Sequence, residues 1–581
     1  MQQKLINLAI SIILKMVVVL LVLLTVRCFI IGEFYLRGLR PLLVSGLLVV
    51  LTELFFESKK KYYLSAFAFI STISSVLYIK KFAQEVLNFG MYNEIISFST
   101  GCVNAVLVLF LILGNSMLAT VSKICIVVML LLPTVFLWGY YLSSGTWVTV
   151  DTVMAVLQTN FSESAEYLSD FLQVTDWLSL IALFTGILAL GVFVSKLKPR
   201  NLFRYGSVVL VGGVLLNGYF AYRHKSNIVT DIAIQTKVYA EKYKDFEKKK
   251  VERKNALKNI ISEVKNENTG VFVLVIGESQ NRNNMSVYGY GRETTPWLSS
   301  MKNVENFILF ENVYSCHTHT VPVLTYALTA KNQYNNMKLG ESVSLLEVVE
   351  AAGFETVWVS NQVKYSAWDT PITVIADEAN QQFWYNNNIG EKTSTNHYDL
   401  KLVDGIEHIK LSDKMLIVFH LMGNHGSYRE RYPKEFKRFA GRNTLDEYDN
   451  SILYNDYVAQ NLFDKVKQIP NFKGFIYFAD HADAVMQGLA HDASKFVPEM
   501  THIPMYMYFS DLYVDEFADR VDNMDKARTV MFTNDLIFNT VLSIMGIQVD
   551  EVYEANNDIT ASEYDKSTER FKTLYGKKLV M

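Results

Sequence analysis

Residues able to do acid–base, nucleophilic and metal chemistry gather at a few places in the second half of this 581-residue chain. Glu278 and Ser279 follow the apolar run Val271–Ile276. Ser315-Cys316-His317-Thr318-His319-Thr320 precedes Val321 and Pro322. Gly423-Asn424-His425-Gly426 comes soon after Met415–Phe419, and Asp480-His481-Ala482-Asp483 after Gly474–Phe478. Oxygen and nitrogen donors of this kind suit Zn²⁺, with Mn²⁺ as the second choice. Glu278, Asp480 and His481 are expected to hold the ion, with the Thr320 hydroxyl in the fourth position. A threonine hydroxyl is a poor nucleophile at neutral pH. A divalent cation lowers its pKa and neutralises charge on a phosphoryl oxygen in the transition state. Thr320 opens a helix-like run, and a helix N-terminus favours an anionic oxygen and a phosphate. Thr318 is the rival nucleophile. His425 and His491 are the candidates for protonating a leaving oxygen or clamping an incoming phosphate. Asn424 and Lys364 are expected to face the substrate. His317 and His319 flank the nucleophile, and functional and packing roles both remain open for them.

These residues need a scaffold that brings them together. Val271–Ile276, Thr356–Val359, Met415–Phe419 and Gly474–Phe478 read as short buried strands, with a helix expected at Ser342–Ala352. Apolar strands separated by helical stretches predict a mainly parallel sheet covered on both faces. Ligands of such sheets gather at the carboxyl ends of the strands, where the polar clusters fall. The outer α/β domain is therefore placed at 269–581. The charged stretch 223–268, with Glu247-Lys248-Lys249-Lys250, reads as a solvated surface helix linking it to what precedes.

The first 222 residues have a different character. Overall, hydrophobic residues are 50% and charged residues 19% of the chain, and the net charge is −3. That balance excludes a nucleic-acid binder held by bulk positive charge. Mean hydropathy is +0.15, pointing to a membrane portion. Tyr62–Ile79, Ile95–Ser122, Ile124–Val150, Trp177–Ser195 and Tyr205–Tyr222 carry no charge. A membrane span needs about 20 mainly apolar residues. Leu8–Ile31 and Pro41–Phe56 are weaker candidates, so an α-helical bundle of five or seven spans is expected over 1–222. An uncleaved first span, and Lys59–Lys61 and Lys196–Arg204 on the cytoplasmic side, leave the second half outside. The four cysteines, Cys28, Cys102, Cys125 and Cys316, lack metal-ribbon spacing.

Taken together, these motifs resemble those of the phosphoethanolamine transferases. Gly277-Glu278-Ser279 with Arg282, Tyr288-Gly289-Tyr290 and Arg292-Glu293-Thr294-Thr295-Pro296 is similar to that family's opening signature. Ser315–Pro322 resembles its nucleophile segment, with the threonine four residues after Cys316 at Thr320. Met422–Gly426 with Arg431-Tyr432-Pro433 resembles its histidine loop, Asp480-His481 its metal pair, and His491 its further histidine. Val153–Ser169 looks like its periplasmic loop. The resemblance implies a bacterial inner-membrane enzyme with a periplasmic domain of the sulfatase/alkaline-phosphatase fold, expected as a monomer. It would take phosphoethanolamine from phosphatidylethanolamine onto Thr320 and pass it to lipopolysaccharide, on a lipid A phosphate or a core sugar. In some relatives such transfer confers polymyxin resistance. Cys316 is alone in the outer domain, so no internal bridge can form, which leans toward the core-sugar subgroup. Rival readings are a glycerophosphotransferase of the lipoteichoic-acid-synthase kind, a membrane-anchored phosphodiesterase or sulfatase-like hydrolase, and a transporter with an outer receptor domain.

Overall fold

The computed structural model describes residues from 228 onward except 261–264, 267–268, 365–370, 387–396, 442, 550 and 581. Before 228 it describes 174–195 and short pieces within 3–17, 116–125, 140 and 152–154. The apolar runs of the first half therefore lie largely outside the described residues. Trp177–Ser195 falls within a helix, α1 (Val174–Ser195), several of whose side chains are also outside them. Among the described residues no helix is long and apolar enough to cross a membrane. The chain divides into two compact units, one of 1–150 with 171–237, the other of 151–170 with 238–581.

The second unit is built on a seven-stranded sheet. Its strands are β1 (Gly270–Gly277), β2 (Phe307–Phe310), β3 (Glu355–Ser360), β4 (Gln381–Trp384), β5 (Lys414–His420), β6 (Phe472–Ala479) and β7 (Met505–Phe509). They lie in the order β2-β7-β6-β1-β5-β3-β4. Only β7 runs against the rest, pairing antiparallel with both β6 and β2. All four strands expected from the sequence are present and parallel. β1 is central and buried along its whole length, as strands covered on both faces must be. Its alternate residues serve two cores. Phe272, Leu274 and Ile276 join one, and Val271, Val273 and Val275 the other. The register pairs Ile276 with His420, Gly277 with Ala479 and Ser360 with His420. Glu278, Asp480 and the histidine loop thus leave the sheet at one edge.

The helices include α2 (Ile228–Lys248), α3 (Lys250–Ile260), α4 (Pro296–Met301), α5 (Thr320–Ala327), α6 (Leu345–Ala351) and α7 (Thr444–Val466). α6 falls inside the expected Ser342–Ala352 and starts with a capping box of Ser344 and Glu347. The charged stretch is helical and largely at the surface, but one side of it is not solvated. Phe246, Arg253 and Leu257 are buried. Arg253 Nε donates to both Glu347 oxygens, at 3.0 and 3.2 Å, and its Nη1 donates to the Phe246 and Gly340 carbonyls. Glu378 lies 3.7 Å from Arg253 Nη2 and accepts from Ser344 Oγ. A sequence rich in Lys and Glu concealed one buried arginine because its partners lie about a hundred residues away.

Candidate metal centre and nucleophile

Glu278 follows the last residue of β1 and is buried. Ser279 behind it adopts a left-handed backbone with φ 53°. That conformation costs a non-glycine residue roughly 1–2 kcal/mol. Three contacts hold it there: Ser279 N donates to Asp480 Oδ1 at 3.0 Å, its Oγ to Glu278 Oε1 at 2.7 Å, and its carbonyl accepts from the Tyr448 hydroxyl at 2.7 Å. β6 delivers Asp480 and His481 alongside. His481 Nε2 stands 3.3 Å from Glu278 Oε1 and 3.4 Å from Asp480 Oδ2. One donor atom from each of the three residues lies within 4.8 Å of the others, and all three side chains are buried.

Thr320 is the first residue of α5. Its Oγ1 donates to Glu278 Oε2 at 3.0 Å and lies 3.3 Å from His481 Nε2. Thr318, the rival, is fully buried and its hydroxyl has no hydrogen-bond partner. The preceding loop is fixed by Ser315 Oγ, 2.6 Å from the carbonyl oxygens of both His317 and Asp480. Asn534 bridges the same parts, accepting from Cys316 N at 2.9 Å and donating to the Asp480 carbonyl at 2.6 Å. Cys316 is a buried free thiol, pushed up by burial.

The histidine loop reaches the cluster from β5. Gly423 has φ 51°, and a Cβ there would lie 2.8 Å from the Glu278 carbonyl oxygen, so glycine permits the close approach. Asp399 cradles the loop through Met422 N and Gly423 N at 2.9 and 2.7 Å. Asn424 N donates to the Glu278 carbonyl at 2.9 Å, and its side chain donates to Ser451 Oγ at 2.6 Å. Burial pulls His425 down to about 4, against the opposing pull of Glu278. It is therefore neutral at physiological pH. His491 Nδ1 is 2.5 Å from Asp483 Oδ1, and Asp483 Oδ2 accepts from the Tyr428 hydroxyl at 2.6 Å. The His491 ring lies 4.3 Å from that of His481 and 5.4 Å from that of His319. Lys364 sits elsewhere in the contact network. Its ammonium is 2.7 Å from Asp377 Oδ1 and donates to Gln382 Oε1 at 3.0 Å.

The electrostatics explain what the cluster can hold. Burial raises Asp480 well above the usual carboxylate range, and the Glu278 charge adds to it. Burial would raise Glu278 too, but His481 overrides it and holds that carboxyl low. One imidazole thus faces two buried carboxylates, and Asp480 Oδ2 has no hydrogen-bond partner. A divalent cation matches that donor set in charge, spacing and chemistry. His481, Asp483 and His491 form a second close group. Asp483, Tyr428, Asn534 and Asp399 were not singled out from the sequence. Asp483 alone had a signal, two residues beyond His481.

Comparisons with known proteins show what the chain is similar to. A family model described as Sulfatase matches residues 271–547. Phosphoethanolamine transferase EptC from Escherichia coli is 29% identical over 408 residues, covering 61% of this chain and 67% of its own length. Phosphoethanolamine transferase CptA from Salmonella typhimurium is 26% identical over 481 residues, covering 74% of this chain and 80% of its own. The solved integral membrane protein lipooligosaccharide phosphoethanolamine transferase A (EptA) from Neisseria meningitidis shares the fold. Its TM-score is 0.61 over 85% of this chain and 97% of that one, at 21% identity.

Proposed function

We propose, for a chain that belongs to the phosphoethanolamine transferase family, that its second unit transfers phosphoethanolamine from phosphatidylethanolamine to a lipopolysaccharide acceptor through Thr320. The observation that carries this reading is the placement of Thr320 Oγ1, 3.0 Å from Glu278 Oε2 and 3.3 Å from His481 Nε2, beside Asp480. In this reading Glu278, Asp480, His481 and Thr320 would hold a zinc ion. When bound, the ion supplies Lewis acidity, favouring the ionised hydroxyl and balancing phosphoryl charge.

The chain's own residues do the rest. Glu278 orients the Thr320 hydroxyl at the start of α5, where the backbone N–H groups favour a phosphate. The Thr320 hydroxyl gives its proton to His491 as Oγ1 forms a bond to phosphorus, and the bond from phosphorus to the diacylglycerol oxygen breaks. His491, backed by Asp483, returns a proton to that oxygen. In the second half-reaction His425, kept neutral by burial, takes the proton from the acceptor hydroxyl, the acceptor oxygen bonds to phosphorus, the bond from phosphorus to Oγ1 breaks, and the proton passes to Oγ1. Asn424 anchors the histidine loop to Glu278 while its unpartnered Oδ1 remains for a substrate group. In this reading the second unit lies on the outer face of a bacterial inner membrane.

The test is mass spectrometry of the full-length protein incubated with labelled phosphatidylethanolamine. A phosphoethanolamine adduct on Thr320, absent from Thr320→Ala, is the expected result. An adduct on Thr320→Ala protein, or transfer from phosphatidylglycerol instead, would overturn the reading.

A further inference from the structure

The last stretch of the chain lies beyond the family match, which ends at 547. It carried no motif in the sequence. It nevertheless ends beside the nucleophile. Two short strands, β8 (Lys572–Thr573) and β9 (Lys578–Leu579), form a hairpin. At its tip Leu574 and Tyr575 are both left-handed, with φ 52° and 57°, followed by Gly576 at 81°. Two successive non-glycine residues in this region cost roughly 2–4 kcal/mol together. Such strain persists only where the surroundings over-determine it.

The surroundings are specific. Phe571 and Val580 anchor the two arms in the core. Gln333 clasps the tip, accepting from Gly576 N at 2.9 Å and donating to the Lys572 carbonyl at 2.8 Å. Gln333 N in turn donates to Asp535 Oδ2 at 2.9 Å. Gln333 follows α5 by a few residues, so the hairpin is tied to the segment that carries Thr320. The result is that the half-buried Tyr575 ring sits 4.9 Å from the His317 ring and 4.9 Å from the Tyr326 ring of α5. The His317 ring lies 5.6 Å from that of His319 at a tilt of 39°, and His319 meets His491 edge-on at 5.4 Å. Two sides of the nucleophile loop are then accounted for. Ser315 and Asn534 tie it to the Asp480 carbonyl, and Tyr575 covers the His317 side.

We infer that Tyr575 is a positioning residue for the nucleophile: its ring braces His317 and α5, and so holds the Ser315–Thr320 loop against Asp480 and His481. The ring does this, because the contacts to His317 and Tyr326 are ring-to-ring. The inference rests on the transfer reaction proposed above, with Thr320 as nucleophile. A brace of this kind acts on the reacting geometry and not on donor affinity. A displacement of about 1 Å at a reacting atom costs up to roughly 100-fold in rate.

The experiment compares Tyr575→Phe, Tyr575→Ala and Tyr575→Gly in the full chain. Glycine accepts the native φ without strain, so Tyr575→Gly separates loss of the ring from loss of the hairpin. Adduct formation on Thr320 from labelled phosphatidylethanolamine is timed, and accessibility of His317 is read by diethyl pyrocarbonate modification and mass spectrometry. Tyr575→Phe is expected to retain the wild-type rate. Tyr575→Gly and Tyr575→Ala are expected to fall roughly 10- to 100-fold in kcat with donor KM unchanged, and His317 becomes modified in both. A wild-type rate in Tyr575→Gly, equal losses in Tyr575→Phe and Tyr575→Gly, or a His317 that stays protected would each overturn the inference. If wild-type protein forms no adduct, the transfer reading fails. The His317 modification still decides whether Tyr575 braces the loop.

Discussion

Two buried carboxylate pairs in the second unit invite comparison. At the sheet edge, Glu278 and Asp480 share the imidazole of His481, at 3.3 and 3.4 Å. Beneath the linker helices, Glu347 and Glu378 share the guanidinium of Arg253, at 3.0 and 3.7 Å. In both, one basic side chain faces two acids, and burial raises the second acid of each pair, Asp480 and Glu378. The difference lies in the cation. Arginine stays charged in any protein environment and fixes its acids permanently, so the Arg253 pair is structural. Histidine gives up its charge readily and lies at the edge where Thr320 arrives. Two carboxylates with only an imidazole between them suit a doubly charged ion. The type of cation that the chain itself supplies separates a fastening from a metal centre.

Removing the nucleophile should break the comparison most sharply. Thr320→Ala is expected to lower transfer by about 10³-fold or more with the fold intact, measured by product formation and thermal melting. Next comes the fastening. Arg253→Ala leaves two buried acids without a cation, and loss of about 3–5 kcal/mol is expected in denaturant unfolding. If Arg253→Ala is as stable as wild type, the pair is not the fastening described here. Zinc should stabilise the sheet edge. At 100 times its Kd it should add about 2.7 kcal/mol, chelation should reverse this, and Asp480→Asn should abolish it. Arg253→Ala should keep the zinc increment, because its cluster is separate.

A pH effect should be more gradual, small over any single pH unit. Glu378 sits at about 8, above its ordinary 4.5, because of burial and the Glu347 charge. The folded state therefore keeps a proton that the unfolded chain releases between those values. Its contribution is fully present below about 4.5 and is lost as pH rises through about 8. Stability should fall across that window by at most about 1.4 kcal/mol per pH unit, and Glu378→Gln should flatten the fall. Lys364→Met should matter least. With Asp377 and Gln382 already engaging its ammonium, transfer is expected to stay within about threefold of wild type, near the scale of a partly exposed ion pair.

The parts legible in the sequence were those with a local pattern. Four apolar runs became parallel strands because burial on both faces leaves no polar alternation to disguise them. Glu278, Asp480 and His481 could be singled out because strand ends are where a parallel sheet displays its polar residues. Lys364 followed the same rule, a few residues past the end of β3, yet the structure pairs it with Asp377. A strand end places a residue at the edge; it does not decide which neighbour captures the side chain. Arg253 failed in the opposite direction, hidden in a run of lysines and glutamates whose exposed members look alike.

The sequence by itself determined the α/β class of the second half, the edge on which chemistry gathers, the metal-type donors and the threonine at the start of a helix. Those are properties of runs a few residues long, set by burial, periodicity and the valence of side chains. Only the tertiary structure decided that Thr320 rather than Thr318 meets Glu278 and His481, that Asp483 and Tyr428 stand behind His491, that Asn534 ties the loop to Asp480, and that Tyr575 closes over His317. Each of these joins residues that no local pattern relates, most of them more than fifty positions apart. Long-range contacts follow from how the layers pack, and packing leaves no period in the chain from which they could be read.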